Sequence, residues 1–110
     1  MSEDLGLSSR PLTELFPRPE NIEDWLSYCL SEDQLLEFNE NGFIHGIKVL
    51  NYDQLEVIRK ELSEIVVQEH EGREFFYEYH SNESTIPETV LFHALGAWRV
   101  RKSFHDLLWN

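Results

Sequence analysis

The chain has 110 residues, 41% hydrophobic and 13% aromatic, enough for one small domain with a modest core and too apolar for global disorder. A formal net charge of −12 disfavours nucleic acid and anionic membrane surfaces, both of which call for clustered Lys and Arg, and suits solubility or a basic protein partner. Cys29 is the only cysteine, so an intrachain disulfide is excluded and a reducing, cytoplasmic setting is the simpler expectation.

In chain order, residues 1–19 carry Pro11, Pro17 and Pro19 and open on Ser, Glu and Asp, which is not a signal peptide. Each proline turns its predecessor away from helix, so an extended arm is expected, with Leu12, Leu15 and Phe16 free to dock. Ile22, Trp25, Leu26 and Cys29 follow at i, i+3, i+4 and i+7 behind an Asn21 cap, which predicts a short amphipathic helix. Cys29 on that face is expected as a buried small hydrophobe rather than a reactive thiol, since no cation sits nearby to lower its pKa. The predicted division is an arm with a short helix over 1–29 and a helix and strand region over 30–110.

Ser31 and Gln34 write a capping box, and Leu30 can staple onto Leu35. The predicted helix over 32–41 offers Leu35, Leu36 and Phe38 to a core and ends at Asn41-Gly42, where a left-handed residue is wanted. A strand is predicted over 43–50, apolar on both faces, with Gly46 as a bulge. Asn51 and Gln54 repeat the capping grammar for a helix over 52–69, whose Leu55, Ile58, Leu62, Ile65 and Val66 form one apolar stripe. Such a stripe is far more often core than a partner groove. Strands are expected over 75–80 and 90–95, with a polar loop closed by Pro87 between them, and a last helix through Val100, Phe104 and Leu107. No apolar run reaches membrane-spanning length.

A search for chemistry returns little. A His and a carboxylate two apart on a strand would face one way and could grip iron. The residues two after the five histidines are Ile47, Gly72, Asn82, Leu95 and Leu107, none acidic. His105 and Asp106 are neighbours, and helical neighbours diverge by about 100°, so they are not expected to serve one site. Zinc-protease, serine-nucleophile and phosphate-loop motifs are missing, and no catalytic or metal residue is assigned. The abundant carboxylates read as solvated helix faces. Arg99, Arg101 and Lys102 are three of only nine cations and could receive an anion; more often such a run flanks a helix and balances nearby acids.

The order of parts then becomes specific. "LSEDQLLEFNENGFIHGIKVL-NYDQLEVIRKELSEI", with "TVLFHALGAWRVRKSFHDLLWN" after a variable stretch, resembles the N-terminal region of the phytanoyl-CoA dioxygenase family over about half the chain. That resemblance implies an Fe(II)- and 2-oxoglutarate-dependent oxidoreductase built on a double-stranded β-helix, with its His-x-Asp and distal His ligands downstream of Asn110. Eight strands of about five or six residues need most of a hundred residues, so the jelly-roll barrel itself is expected to be missing. The expected fold class is α+β: the helix-strand-helix front of such an enzyme, inactive alone, ending on an apolar helix that looks cut off. Within the resemblance His93 lies near where family members can turn a basic side chain toward the cosubstrate, and is the one cofactor-binding candidate. The remainder of its own domain, or self-association through exposed apolar surface, is the expected partner. The competing reading is a complete acidic interaction module that neutralises a basic protein, as immunity-type proteins do.

Overall fold

The computed structural model describes residues 2–110. It divides into two units, one of residues 18–51 and one of residues 2–17 together with Tyr52–Asn110. The cuts fall at Pro17 and Asn51, so the arm expected over 1–29 is split between the units.

The unit of residues 18–51 carries two helices. The first, α1 (Ile22–Leu26), starts where the Asn21 side chain accepts from the Asp24 N–H. The second, α2 (Glu32–Asn41), starts with both halves of the predicted box: Gln34 N–H donates to Ser31 Oγ at 3.2 Å, and Ser31 N–H to Gln34 Oε1 at 2.9 Å. It stops on Gly42 at φ 76°, a left-handed conformation that lets the Gly42 N–H reach the Phe38 carbonyl.

Three expectations fail in this unit. Residues 43–49 form no strand: a strand needs a ladder partner, and Gly46 at φ 74° breaks the extended run. Leu35, Leu36 and Phe38 are exposed rather than core, because nothing among the described residues of this unit lies over that face. Cys29 is exposed, not buried, since α1 ends at Leu26 and the turn after it leaves the thiol in the open.

The larger unit is built around α3 (Tyr52–Ile65), which ends four residues before the predicted position. The reason lies in Tyr79, whose phenol donates to the carbonyl of Ile65 at 2.8 Å and so satisfies a terminal acceptor of the helix. Tyr79 sits mid-strand in β1 (Glu78–His80), which pairs antiparallel with β2 (His93–Leu95) in the register Glu78↔Leu95, Tyr79↔Ala94, His80↔His93. Both strands are half the predicted length. A 3-10 turn at Arg73–Phe75 takes the start of the first, and residues 90–92 lie outside the ladder. Phe76, Tyr79 and Phe92 join His70 in a ring cluster with centroids 5.3–5.5 Å apart, and the Arg73 guanidinium lies 4.8 Å from the Tyr79 centroid.

A 3-10 turn at Ala97–Arg99 leads into α4 (Lys102–Leu107). The side chain of Glu61, on α3, accepts from the backbone N–H of Ser103 at 2.8 Å and from its hydroxyl at 2.6 Å. One carboxylate of α3 thus satisfies an orphan donor in the first turn of α4, where negative charge is favoured. Gly72 is buried at φ 89°, and a Cβ there would meet Val100 Cγ1 at 2.7 Å. Fold class is therefore α+β at the coarse level: short helices with a two-stranded antiparallel sheet. No helix of the described residues is long and apolar enough to cross a membrane.

Candidate functional site

Three groups of polar side chains in the larger unit deserve a chemical account. The first gathers the residues before Pro17 onto α4. Asp106, 1% exposed, accepts from the Leu12 N–H at 2.8 Å, the Thr13 N–H at 2.7 Å, the Thr13 hydroxyl and the His105 Nδ1–H at 2.9 Å. Burial pushes the Asp106 carboxyl up, but the bonds from the Thr13 side chain, His105 and the two backbone donors outweigh it and hold it below the ordinary value. The ring of His105, also 1% exposed, lies with Nε2 3.3 Å from the Ser8 carbonyl, where a bond needs a second ring proton. The expectation that His105 and Asp106 diverge is corrected here. Both side chains engage the chain at residues 8–13, Asp106 accepting from Leu12 and Thr13 and His105 facing the Ser8 carbonyl.

The predicted cations form the second group. Arg99 grips Asp4 through Nε and Nη2, donates from Nη1 to the Phe75 carbonyl at 2.7 Å, and lies 4.7 Å from the Tyr77 ring centroid. Its bonds hold the Asp4 carboxyl below the usual range, against a smaller upward push from burial, and Asp4 in return raises Arg99. Arg101 donates to Glu64 Oε2 at 3.1 Å. Lys102 is exposed. Arg101 and Lys102 share the edge of a groove of about 580 Å³ with Glu3, Glu61, Glu64, Glu71 and His70. Carboxylates outnumber cations there; of the three anion-binding candidates, Arg99 and Arg101 balance acids of their own chain.

The third group is on the hairpin and contains His93. The register sets His93 opposite His80, with ring centroids 5.7 Å apart. Glu78, two residues before His80 and on the same strand face, places Oε1 2.9 Å from His80 Nε2 and Oε2 3.8 Å from His93 Nε2. Glu83 comes back from the loop with Oε2 3.3 Å from His93 Nδ1 and Oε1 4.0 Å from His80 Nε2. That loop is tied down by Glu83 N–H to the Leu91 carbonyl, and by Asn82 Oδ1, which accepts from both Ser84 and Leu91 N–H groups. All four side chains stay 37–49% exposed. Sequence reasoning picked His93 and missed its three neighbours. The signal was the strand pairing, which sets positions 80 and 93 face to face.

The residues present do not fit the iron centre that the resemblance implies. None of the five histidines has an acid two residues on, and the His105–Asp106 pair is fully engaged by residues 8–13. The geometry so far defines a small α+β chain with polar clusters at a hairpin and at a clasped helix. No family model matches it, and no curated protein or solved structure matches it either.

Proposed function

We propose that this chain is the front of an Fe(II)- and 2-oxoglutarate-dependent oxygenase of the phytanoyl-CoA dioxygenase type, serving as structural support for a metal centre held elsewhere. The observation that carries the reading is the imbalance of apolar burial. Phe16 and Ile65 are buried, whereas Trp25, Leu36, Tyr77, Val90, Leu91 and Leu108 are 55–69% exposed. Large apolar side chains left open on this scale suit surfaces made to be covered. The capped helix with its left-handed glycine stop and the α3 stripe are in keeping with the two helices expected of that family, while the strand expected between them is not formed. His93 would lie beside the cosubstrate in this reading.

The test is the reading frame past Asn110, where a His-x-Asp and a distal His are expected; an open frame of domain length without them overturns the proposal. The isolated chain is expected to consume no 2-oxoglutarate and to bind a fluorescent apolar dye. A chain that binds no dye, and forms a salt-sensitive complex with a basic protein, would favour the acidic interaction module instead.

A further inference from the structure

We propose that residues 18–51 are a docking surface for a basic amphipathic segment of another protein, one that carries Lys and Arg beside a strip of apolar side chains. The inference does not rest on the oxygenase reading, whose fate is decided by the frame past Asn110; it concerns what covers a surface present in this chain.

Burial comes first. Among the described residues of 18–51 none is buried, and Trp25, Leu36 and Phe43 are 59–61% exposed. Local order is nevertheless in place. Both helices are capped, α2 stops on its glycine, and His45 reaches back with Nδ1 3.1 Å from Glu37 Oε1. Ordered backbone that buries so little apolar surface has little to set against its lost chain entropy. A surface of this kind is completed by a partner.

Charge says which partner. α2 carries Glu32, Asp33, Glu37 and Glu40, and the residues around α1 add Glu20, Glu23 and Asp24. The stretch 20–41 holds no Lys or Arg; Arg18 and Lys48 flank it. Among the described residues no Lys or Arg is paired with any of these carboxylates. At helical spacing Asp33, Glu37 and Glu40 stand in one row, where like charges three and four apart repel. Leu36 adjoins that row, and Leu35 and Phe38 follow further round the helix. The face thus sets bare hydrocarbon beside unopposed carboxylate. Lys and Arg match it, because their stems cover apolar surface while their charged heads meet the acids.

The same charges disfavour other occupants. A second copy would bring carboxylates against carboxylates, and anionic lipid or nucleic acid would meet like charge. A zwitterionic bilayer offers the acids no net positive charge.

The test is fluorescence anisotropy of a labelled Leu/Lys peptide of about 18 residues, patterned as an amphipathic helix, titrated with the full 110-residue chain. Saturable one-to-one binding is expected, weakening at least about tenfold between about 50 and about 300 mM salt. A scrambled peptide of the same composition should bind at least about tenfold more weakly, and a peptide with Glu in place of Lys not at all. Asp33→Asn with Glu37→Gln and Glu40→Gln should weaken binding at least about tenfold, and so should Leu36→Ser with Phe38→Ser. Glu14→Gln with Glu69→Gln and Glu88→Gln removes the same charge from the larger unit and should leave affinity within about twofold. If a variant loses helicity, peptide-induced amide shifts in the unaltered chain decide the matter: shifts concentrated in 18–51 support the proposal, and shifts centred on the larger unit overturn it. It is also overturned by no binding at about 100 μM chain, by equal binding of the scrambled peptide, or by the larger-unit variant weakening binding as much as the α2 variant. Loss of a dimer, or of binding to phosphatidylcholine vesicles, in the Leu36 and Phe38 variant with peptide affinity unchanged would overturn it too.

Discussion

Asp106 accepts four hydrogen bonds, two of them from backbone donors more than ninety positions earlier in the chain. Bonds to a charged acceptor are individually strong, and a buried donor left without one is costly. Asp106→Asn keeps the shape but turns an amide N–H₂ toward donors, so a loss of about 3 kcal/mol is expected in urea denaturation. The pH dependence has a definite sign. The folded-state pKa of Asp106 is lowered, so its contribution is complete above the unfolded value of about 3.9 and disappears as pH falls through the lower folded value. Asp4 and Glu74, also lowered, act in the same direction. Stability should therefore hold from neutrality down to about pH 4 and drop below it, and Asp106→Asn should flatten that drop. Gly72→Ala combines a positive φ with a clash against Val100, for an expected loss of about 2–3 kcal/mol in the same assay. Neither residue announced its role in the sequence. Periodicity reports neighbours along a helix or strand, and three of the four bonds to Asp106 come from positions 12 and 13.

Where an element begins was far more legible than how far it runs. The starts of α1 and α2 were readable from Asn21 and from the Ser31–Gln34 pair because a cap is a local, four-residue arrangement, and Gly42 marked the stop of α2 for the same reason. Ser31→Ala should cost about 1 kcal/mol of helix stability, seen as reduced helicity on mild heating. The end of α3 was not readable, since a phenol fourteen residues on from Ile65 sets it. Strand lengths failed likewise: β-rich composition spans 75–80 and 90–95, but a ladder persists only where two backbones face each other. The first turn of α4 depends on Glu61 from another helix, which no local pattern contains. Glu61→Ala should lower stability by about 1–2 kcal/mol, and Glu61→Gln should recover part of it.

At the scale of the molecule, the α+β class followed from alternating patterns of helix and strand, whereas the predicted core of the segment at 18–51 did not form. Apolar spacing says which face wants cover, not whether cover is there. The exposed Leu35, Leu36 and Phe38 are the clearest instance. The same excess gives a measurable expectation: charge-to-polar changes on the acid-rich surface, such as Glu32→Gln with Asp33→Asn, should promote self-association at low salt, followed by light scattering.

The ties between Asp4 and Arg99, Ser8 and His105, and Thr13 and Asp106 each span 93–97 positions. None of them can form on the ribosome until synthesis has passed residue 99. Closing so long a loop forfeits chain entropy before a contact repays it, which raises contact order and slows refolding for a chain this short. Residues 4–13 are thus secured only after residues 99–106 have been made, and until then they are open to proteases.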